Sequence, residues 1–218
     1  DERIITFINS LDTKNSEILE DIEREALADN VPIIRREMQS FLKVLLMVKK
    51  PMRVLEVGTA VGFSALLMSE YVPEECAITT IENYEKRIPI ARQNFVRAGK
   101  EKKITLLEGD AMDVLKTLEG PYDFIFMDAA KGQYIHYLPE ILRLLAKGGI
   151  LVSDNVMQDG DVIESRFAVE RRDRTIHARM REYLYELKHN DALVTSIIPL
   201  GDGVALSVKK EVGTDIAQ

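Results

Sequence analysis

Asp128 and Lys131 stand three residues apart in Phe126-Met127-Asp128-Ala129-Ala130-Lys131, and Asp154-Asn155 follows Val152-Ser153. Two carboxylates and one amide oxygen make a hard, oxygen-only donor set, suited to Mg2+, Mn2+ or Ca2+ and poorly suited to zinc. Such a set leaves coordination positions for water or a substrate oxygen. A lysine beside a divalent cation favours its deprotonated form and can then accept a proton from a hydroxyl. The plainer reading is also open: strand-end Asp and Asn often cap helices and turns, and most lysines only face water.

A second group of residues suggests a nucleotide-type ligand. In Glu56-Val57-Gly58-Thr59-Ala60-Val61-Gly62, Gly58 allows a tight turn and a close approach of backbone to ligand. The full G-x-G-x-x-G spacing is absent. Glu56 would repel a dinucleotide pyrophosphate and attract the cationic ammonium end of S-adenosylmethionine (SAM). Glu82, at the end of Thr80-Ile81-Glu82, is placed to accept hydrogen bonds from ribose hydroxyls. In Gly109-Asp110-Ala111, Asp110 or the Ala111 backbone could meet an adenine amino group, and Asp110 could equally be a helix N-cap. Structural alternatives for the first two are a tight turn with a solvated glutamate and a surface charge at a strand end.

These residues need a scaffold that brings them to one edge, and the pattern of the chain supplies one. The first fifty residues read as helices at Arg3–Leu11, Ser16–Ala28 and Arg36–Lys49. From Met52 onward short β-rich runs alternate with helical stretches, the signature of parallel βαβ units. Strands are expected at Arg53–Val57, Ile78–Ile81, Ile104–Leu107, Phe124–Met127 and Ile150–Val152. Helices are expected at Phe63–Tyr71, Glu85–Ala98, Ala111–Leu118 and Tyr134–Leu145, the last stopped by Lys147-Gly148-Gly149. An irregular charged stretch then leads to a helix over Arg172–His189 and two strands, Val194–Ile198 and Val204–Val208. The short turn Pro199-Leu200-Gly201-Asp202-Gly203 can only join antiparallel strands. The expected fold is α/β: a Rossmann-like sheet of the SAM methyltransferase kind, mainly parallel with a C-terminal antiparallel hairpin, plus N-terminal helices. A single domain over 1–218 is expected, with a helical cap over 1–50 and the core over 51–218.

Composition narrows the class further. With 46% hydrophobic and 30% charged residues, the 218-residue chain reads as an ordinary soluble globular protein. No apolar run approaches the roughly 20 residues of a membrane span, and Asp1-Glu2-Arg3 carries no signal-peptide pattern. A single cysteine, Cys76, excludes an internal disulfide and fits a reducing, cytoplasmic compartment. The net charge of −7 argues against nonspecific nucleic-acid binding by the surface as a whole. His136, His177 and His189 lack metal-ligand spacing and read as structural or surface residues, and Cys76 as a half-buried small residue. G-x-S-x-G, H-E-x-x-H and the P-loop are missing, which removes the usual hydrolase, zincin and NTPase readings.

Taken together, Glu56-Val57-Gly58-Thr59, Asp128…Lys131 and Asp154-Asn155 resemble the metal-dependent O-methyltransferases related to catechol and caffeoyl-CoA O-methyltransferases. The resemblance implies that Asp128, Asp154 and Asn155 hold the metal and that Lys131 is the general base. It also implies a SAM site lined by Glu56, Gly58, Ser64, Glu82, Asp110 and Ala111, with Asp128 also touching the cofactor's amino group, and a homodimer. Within the family, Asp128-Ala129-Ala130-Lys131-Gly132-Gln133-Tyr134, the arginine-rich segment and Ile198-Pro199-Leu200-Gly201-Asp202-Gly203 look most like the bacterial tRNA 5-hydroxyuridine methyltransferases, which make 5-methoxyuridine at the wobble position.

Acceptor chemistry agrees with either of two substrates. The 5-hydroxyl and 4-oxo groups of 5-hydroxyuridine are vicinal oxygens and can chelate one metal as the oxygens of a catechol do, so a small catechol-like phenol remains the alternative. Arg166 to Arg181 bears on the choice: six arginines (Arg166, Arg171, Arg172, Arg174, Arg179, Arg181) against Glu170 and Asp173 in an otherwise acidic chain. Arginine matches phosphate geometry, so the cluster suits the anticodon stem-loop of a tRNA, with Arg171, Arg172 and Arg174 as candidate contacts. A solvated helix face or a dimer interface would use the same residues. Tyr134 is a candidate for stacking on a base, or else a buried aromatic at a helix start.

Overall fold

The computed structural model describes residues 2–211. In chain order the elements are α1 (Glu2–Ser10), α2 (Glu17–Ala28), α3 (Arg36–Lys49), β1 (Arg53–Val57), α4 (Phe63–Glu70), β2 (Ala77–Glu82), α5 (Ile88–Arg97), β3 (Ile104–Glu108), α6 (Ala111–Thr117), β4 (Tyr122–Met127), α7 (Tyr134–Leu144), β5 (Leu145–Ser153), α8 (Arg174–His189), β6 (Leu193–Ile198) and β7 (Val204–Lys209). The strands form one seven-stranded sheet in the order β3-β2-β1-β4-β5-β7-β6. β1/β4, β2/β3 and β4/β5 pair in parallel, and β7 runs antiparallel to both β5 and β6. This is the mainly parallel α/β sheet with a closing antiparallel hairpin that the sequence pattern predicts. Among the described residues no helix is long and apolar enough to cross a membrane.

The described residues fall into two compact units, one comprising residues 2–52 and 59–110 and the other 53–58 and 111–211. In the first unit α2 and α3 are amphipathic: α3 buries Met38, Leu42 and Leu46, four residues apart on one face, and leaves Val44, Met47 and Val48 exposed. Helix α4 is buried almost all round, as a helix with apolar or small residues on every face must be. Helix α5 starts at Ile88, three residues later than the sequence pattern suggested, with Pro89 in its first turn, where the missing N–H costs nothing. Ser16 stands before α2 but does not cap it; its hydroxyl donates to Glu70 Oε1 at 2.6 Å.

The second unit carries the central strands. Val54, Leu55, Glu56 and Val57 of β1 are all buried, and Phe124 to Met127 of β4 are fully enclosed, as expected of parallel strands covered on both faces. One boundary departs from the sequence reading: Lys147-Gly148-Gly149 does not stop α7, which ends at Leu144. The three residues lie inside β5, where Tyr122 pairs with Leu145 but Phe124 pairs with Ile150, so β5 bulges against β4. Gly148, at φ +68°, takes the left-handed conformation that the bulge requires.

Candidate active site

The C-terminal ends of β1, β4 and β5 are tied to one another by backbone hydrogen bonds. Asp128 N–H donates to the Val57 carbonyl at 3.0 Å, and Asp154 N–H donates to the Met127 carbonyl at 2.9 Å. Asp128 and Asp154 therefore emerge from neighbouring parallel strands at the same edge. Gly58, at φ +94°, sits directly against this edge: a Cβ there would overlap the Asp128 carbonyl oxygen. The close approach that Gly58 permits is thus to the Asp128 backbone. Gly58→Ala is expected to lower stability by about 1–3 kcal/mol, from the positive φ and the clash together, measured as a fall in Tm, because the nearest atoms are backbone and cannot swing away.

Burial holds the Asp128 carboxyl up at about 6, with the Glu56 charge adding to the shift and Lys131 opposing it. Asp154 is raised further, to about 7, again first by burial and then by Asp128, and Asp202 also raises it. The Asn155 N–H donates to Asp154 Oδ1 at 2.8 Å, which with Lys131 offsets part of that rise. Asn155 itself takes a left-handed φ of +56°, which Asn tolerates better than most residues. Glu56 is fully buried, so it is not a solvated glutamate. A cluster of carboxyls that resist ionisation beside one another is one that a cation would stabilise, and its donors are all oxygens. Among the described residues no group of three or more His, Cys, Asp or Glu is placed to hold a metal, but a set of two carboxylates and one amide does not require such a group.

Lys131 opens a short 3-10 turn, Lys131–Gln133, just beyond β4. Its Nζ lies 3.4 Å from Oδ2 of Asp202, a buried carboxylate in the turn between β6 and β7. The sequence reading placed Asp202 in this turn and in the Ile198–Gly203 motif, with no link to Lys131.

Of the two readings of Tyr134, the structure supports the buried aromatic and corrects the substrate contact. The side chain is completely buried, edge-on to Tyr183, and cannot stack on a base. Its hydroxyl lies 3.1 Å from both the Met127 and the Asp154 carbonyl oxygens and accepts from Ala129 N–H at 3.3 Å. Burial and the surrounding acids push its phenol well above the ordinary value, so it stays a neutral hydroxyl bracing the ends of β4 and β5.

The arginine segment is also only partly available. Arg174, Arg179 and Arg181 donate to the carbonyls of Val169 (3.2 Å), Gly132 (3.1 Å) and Val162 (2.8 Å), and Arg172 pairs with Glu170 and Asp173. Arg172 and Arg174, expected to meet substrate, thus have local partners. His177 is buried, with Nε2 3.2 Å from the Glu164 carbonyl. Arg174, His177 and Arg181 lie along one face of α8 and hold the segment over Val162–Val169, whose outer side presents Phe167, 87% exposed, and Ile163. Arg166 and Arg171 are exposed and make no hydrogen bond or ion pair among the described residues. The charge count singled out the arginines; nothing in it pointed to Phe167.

In the other unit, Glu82 closes β2 as a buried carboxylate, not a surface charge. Its Oε1 accepts from Asn83 and Tyr84 N–H, at 3.0 and 2.9 Å, and Oε2 accepts from Ala60 N–H at 2.8 Å. A carboxylate has about four acceptor positions, so one is left for a ligand hydroxyl. The turn it holds takes left-handed φ at Ala60, a strained position, and at Gly62, where glycine adopts it freely, and the buried Thr59 hydroxyl has no hydrogen-bond partner. Ser64 is buried in the first turn of α4, while Asp110 is exposed immediately before α6. Cys76 is buried more deeply than its sequence context suggested.

A family model described as O-methyltransferase matches residues 9–210. The chain belongs to the O-methyltransferase family. Similar proteins include a catechol O-methyltransferase of Niastella koreensis, 35% identical over 57% of this chain and 58% of that enzyme's length. Caffeoyl-CoA O-methyltransferase 2 of Populus trichocarpa is 33% identical over 76% of this O-methyltransferase and 70% of its own length. Among solved structures, the SAH-bound methyltransferase PaMTH1 of Podospora anserina superposes with a TM-score of 0.87 at 27% identity, covering 96% of this chain and 95% of that one.

Proposed function

We propose that this O-methyltransferase transfers a methyl group from SAM to the 5-hydroxyl of 5-hydroxyuridine at the wobble position of tRNA, with a divalent cation held by Asp128, Asp154 and Asn155. The observation that carries the chemistry is the pair of carboxyls Asp128 and Asp154 on strand ends tied by backbone hydrogen bonds, both raised above the usual value by burial, with Lys131 opposing the rise in each. SAH in the related Podospora structure supports SAM as the donor. Glu56, Gly58, Ser64, Glu82, Asp110, Ala111 and Asp128 keep the cofactor roles that the motif resemblance gives them, and the free acceptor position on Glu82 and the unpartnered Thr59 hydroxyl fit a bound polar group.

A bound divalent cation supplies positive charge that favours the ionised acceptor hydroxyl and fixes its orientation. The chain's own residues do the rest. Lys131 Nζ takes the hydroxyl proton while the O–CH3 bond forms and the sulfonium S–CH3 bond breaks. Glu56 and Asp128 offer negative charge to the donor's ammonium group. Tyr134 keeps the two strand ends in register, so that Asp128 and Asp154 hold a fixed spacing.

Arg166, Phe167 and Arg171 favour an RNA acceptor, because an exposed ring and two exposed, uncommitted guanidiniums on one short segment can stack on an unpaired base and contact phosphates. The relatives named for catechol favour the second reading, a small catechol-like phenol. Methyl transfer to undermodified tRNA carrying 5-hydroxyuridine and to catechol, compared under identical conditions, separates them. Label in tRNA is expected; strong catechol turnover with no tRNA product contradicts the proposal. Phe167→Ala combined with Arg166→Ala and Arg171→Ala is expected to raise KM for tRNA by about 10-fold to 100-fold, from a lost stack worth about 1–3 kcal/mol and two phosphate contacts, and to leave catechol turnover unchanged.

A further inference from the structure

We propose that Asp202 is a positioning residue for methyl transfer, acting through Lys131. The inference rests on the reading of Lys131 as the proton acceptor and adds a residue which that reading does not use. Asp202 is 7% exposed and engaged on both carboxylate oxygens. Oδ2 faces Lys131 Nζ at 3.4 Å, and Oδ1 accepts the Asp159 N–H at 2.6 Å.

The turn that carries Asp202 is itself locked in place. Its carbonyl accepts from Met157 N–H at 2.9 Å, and the Gly203 carbonyl accepts from Val156 N–H at 3.0 Å. Gly203 has φ +78°, and a Cβ there would overlap the Met157 side chain. Asp202 is therefore fixed against the segment that follows Asn155, and Lys131 is reached from that fixed point.

Lysine needs such a partner. Its four-carbon stem has many rotamers, so a free Lys131 tip would sample many positions. Here the backbone of the lysine turn is tied by Arg179 to Gly132, and the tip is tied by Asp202. An N–H directed at Oδ2 also turns the nitrogen's remaining valences away from Asp202. A purely structural role, in which Asp202 serves only the hairpin through its Asp159 contact, would account for its burial equally well.

The two roles separate in Asp202→Asn, which keeps an oxygen for Asp159 N–H and removes the charge facing Lys131. In the full chain, with tRNA and catechol each tried as acceptor, kcat is expected to fall about 10-fold to 100-fold, the scale of a misplaced catalytic group. KM for SAM and acceptor, and Mg2+ affinity by calorimetry, are expected to stay within about threefold, since the variant removes no group assigned to binding them. In a Lys131→Gln background Asp202→Asn is expected to cost nothing further, whereas independent effects would add. Wild-type kcat in Asp202→Asn, additive losses in the double variant, or a loss traced to weaker Mg2+ binding would overturn the inference. If Lys131→Gln is itself fully active, the proton-acceptor reading falls and takes the inference with it; if Lys131→Gln is impaired while Asp202→Asn is neutral or additive, only the inference fails.

Discussion

Replacing Lys131 by methionine is expected to lower kcat for methyl transfer by about 10²-fold to 10⁴-fold, the range that a positioned general base contributes. Methionine keeps most of the stem's length and apolar contacts while removing the nitrogen. Because Lys131 is a third exposed and sits in a short turn beyond the sheet, the fold does not depend on its amine. Its loss leaves Asp202 with its Asp159 contact but no partner on Oδ2, so a modest fall in Tm accompanies the kinetic loss. KM for SAM should stay near wild type. Rapid-quench measurement of a single turnover checks the chemical step itself, and an unchanged rate there would remove Lys131 from the mechanism.

Asp154→Asn is expected to reduce Mg2+ affinity by at least about 10²-fold, more than the loss typical of an outer contact to a metal ligand, and to abolish the rise in Tm that Mg2+ produces in the wild type. The pH dependence of that rise follows from the two carboxyls. Both are raised in the folded protein, Asp128 to about 6 and Asp154 to about 7, above the usual 3.8. Between that usual value and their folded values the unfolded chain is ionised while the native carboxyls keep their protons. Without metal, this contribution to stability is thus full at low pH and is lost as pH rises through about 7. Metal binding needs the ionised carboxylates and releases their protons, so its strength runs the other way and grows with pH. Differential scanning fluorimetry with and without Mg2+ should show a small shift near pH 5.5 and a larger one near pH 8, flattened in Asp154→Asn. A shift independent of pH, or retained by the variant, contradicts the assigned ligand set.

Local pattern made much of the fold legible. The bounds of α3 and β1 coincide with the sequence reading, because each is a strongly patterned run between clear breaks. Lys147-Gly148-Gly149 misled because glycine marks both helix ends and strand bulges; its role is decided by the pairing of β5 with Tyr122 and Phe124, which no local window contains. The same division runs through the site. Asp128, Asp154 and Asn155 were visible as oxygen donors at strand ends. Asp202 was not visible as a partner of Lys131, since their contact spans 71 positions and depends on β7 lying against β5. Tyr134 could be read either as a stacking ring or as core, and only its complete burial decides. Counting arginines likewise overstated the basic surface, because the carbonyls that occupy Arg174, Arg179 and Arg181 are set by how α8 packs.

Methyl transfer to an oxygen is expected to depend on a divalent cation held by Asp128, Asp154 and Asn155. The measurement that decides this follows label from methyl-labelled SAM into 5-hydroxyuridine-containing tRNA, with Mg2+ and after complete chelation. The expected result is transfer with Mg2+ that stops on chelation and returns when Mg2+ is restored. Transfer that proceeds equally with and without the cation would contradict the account.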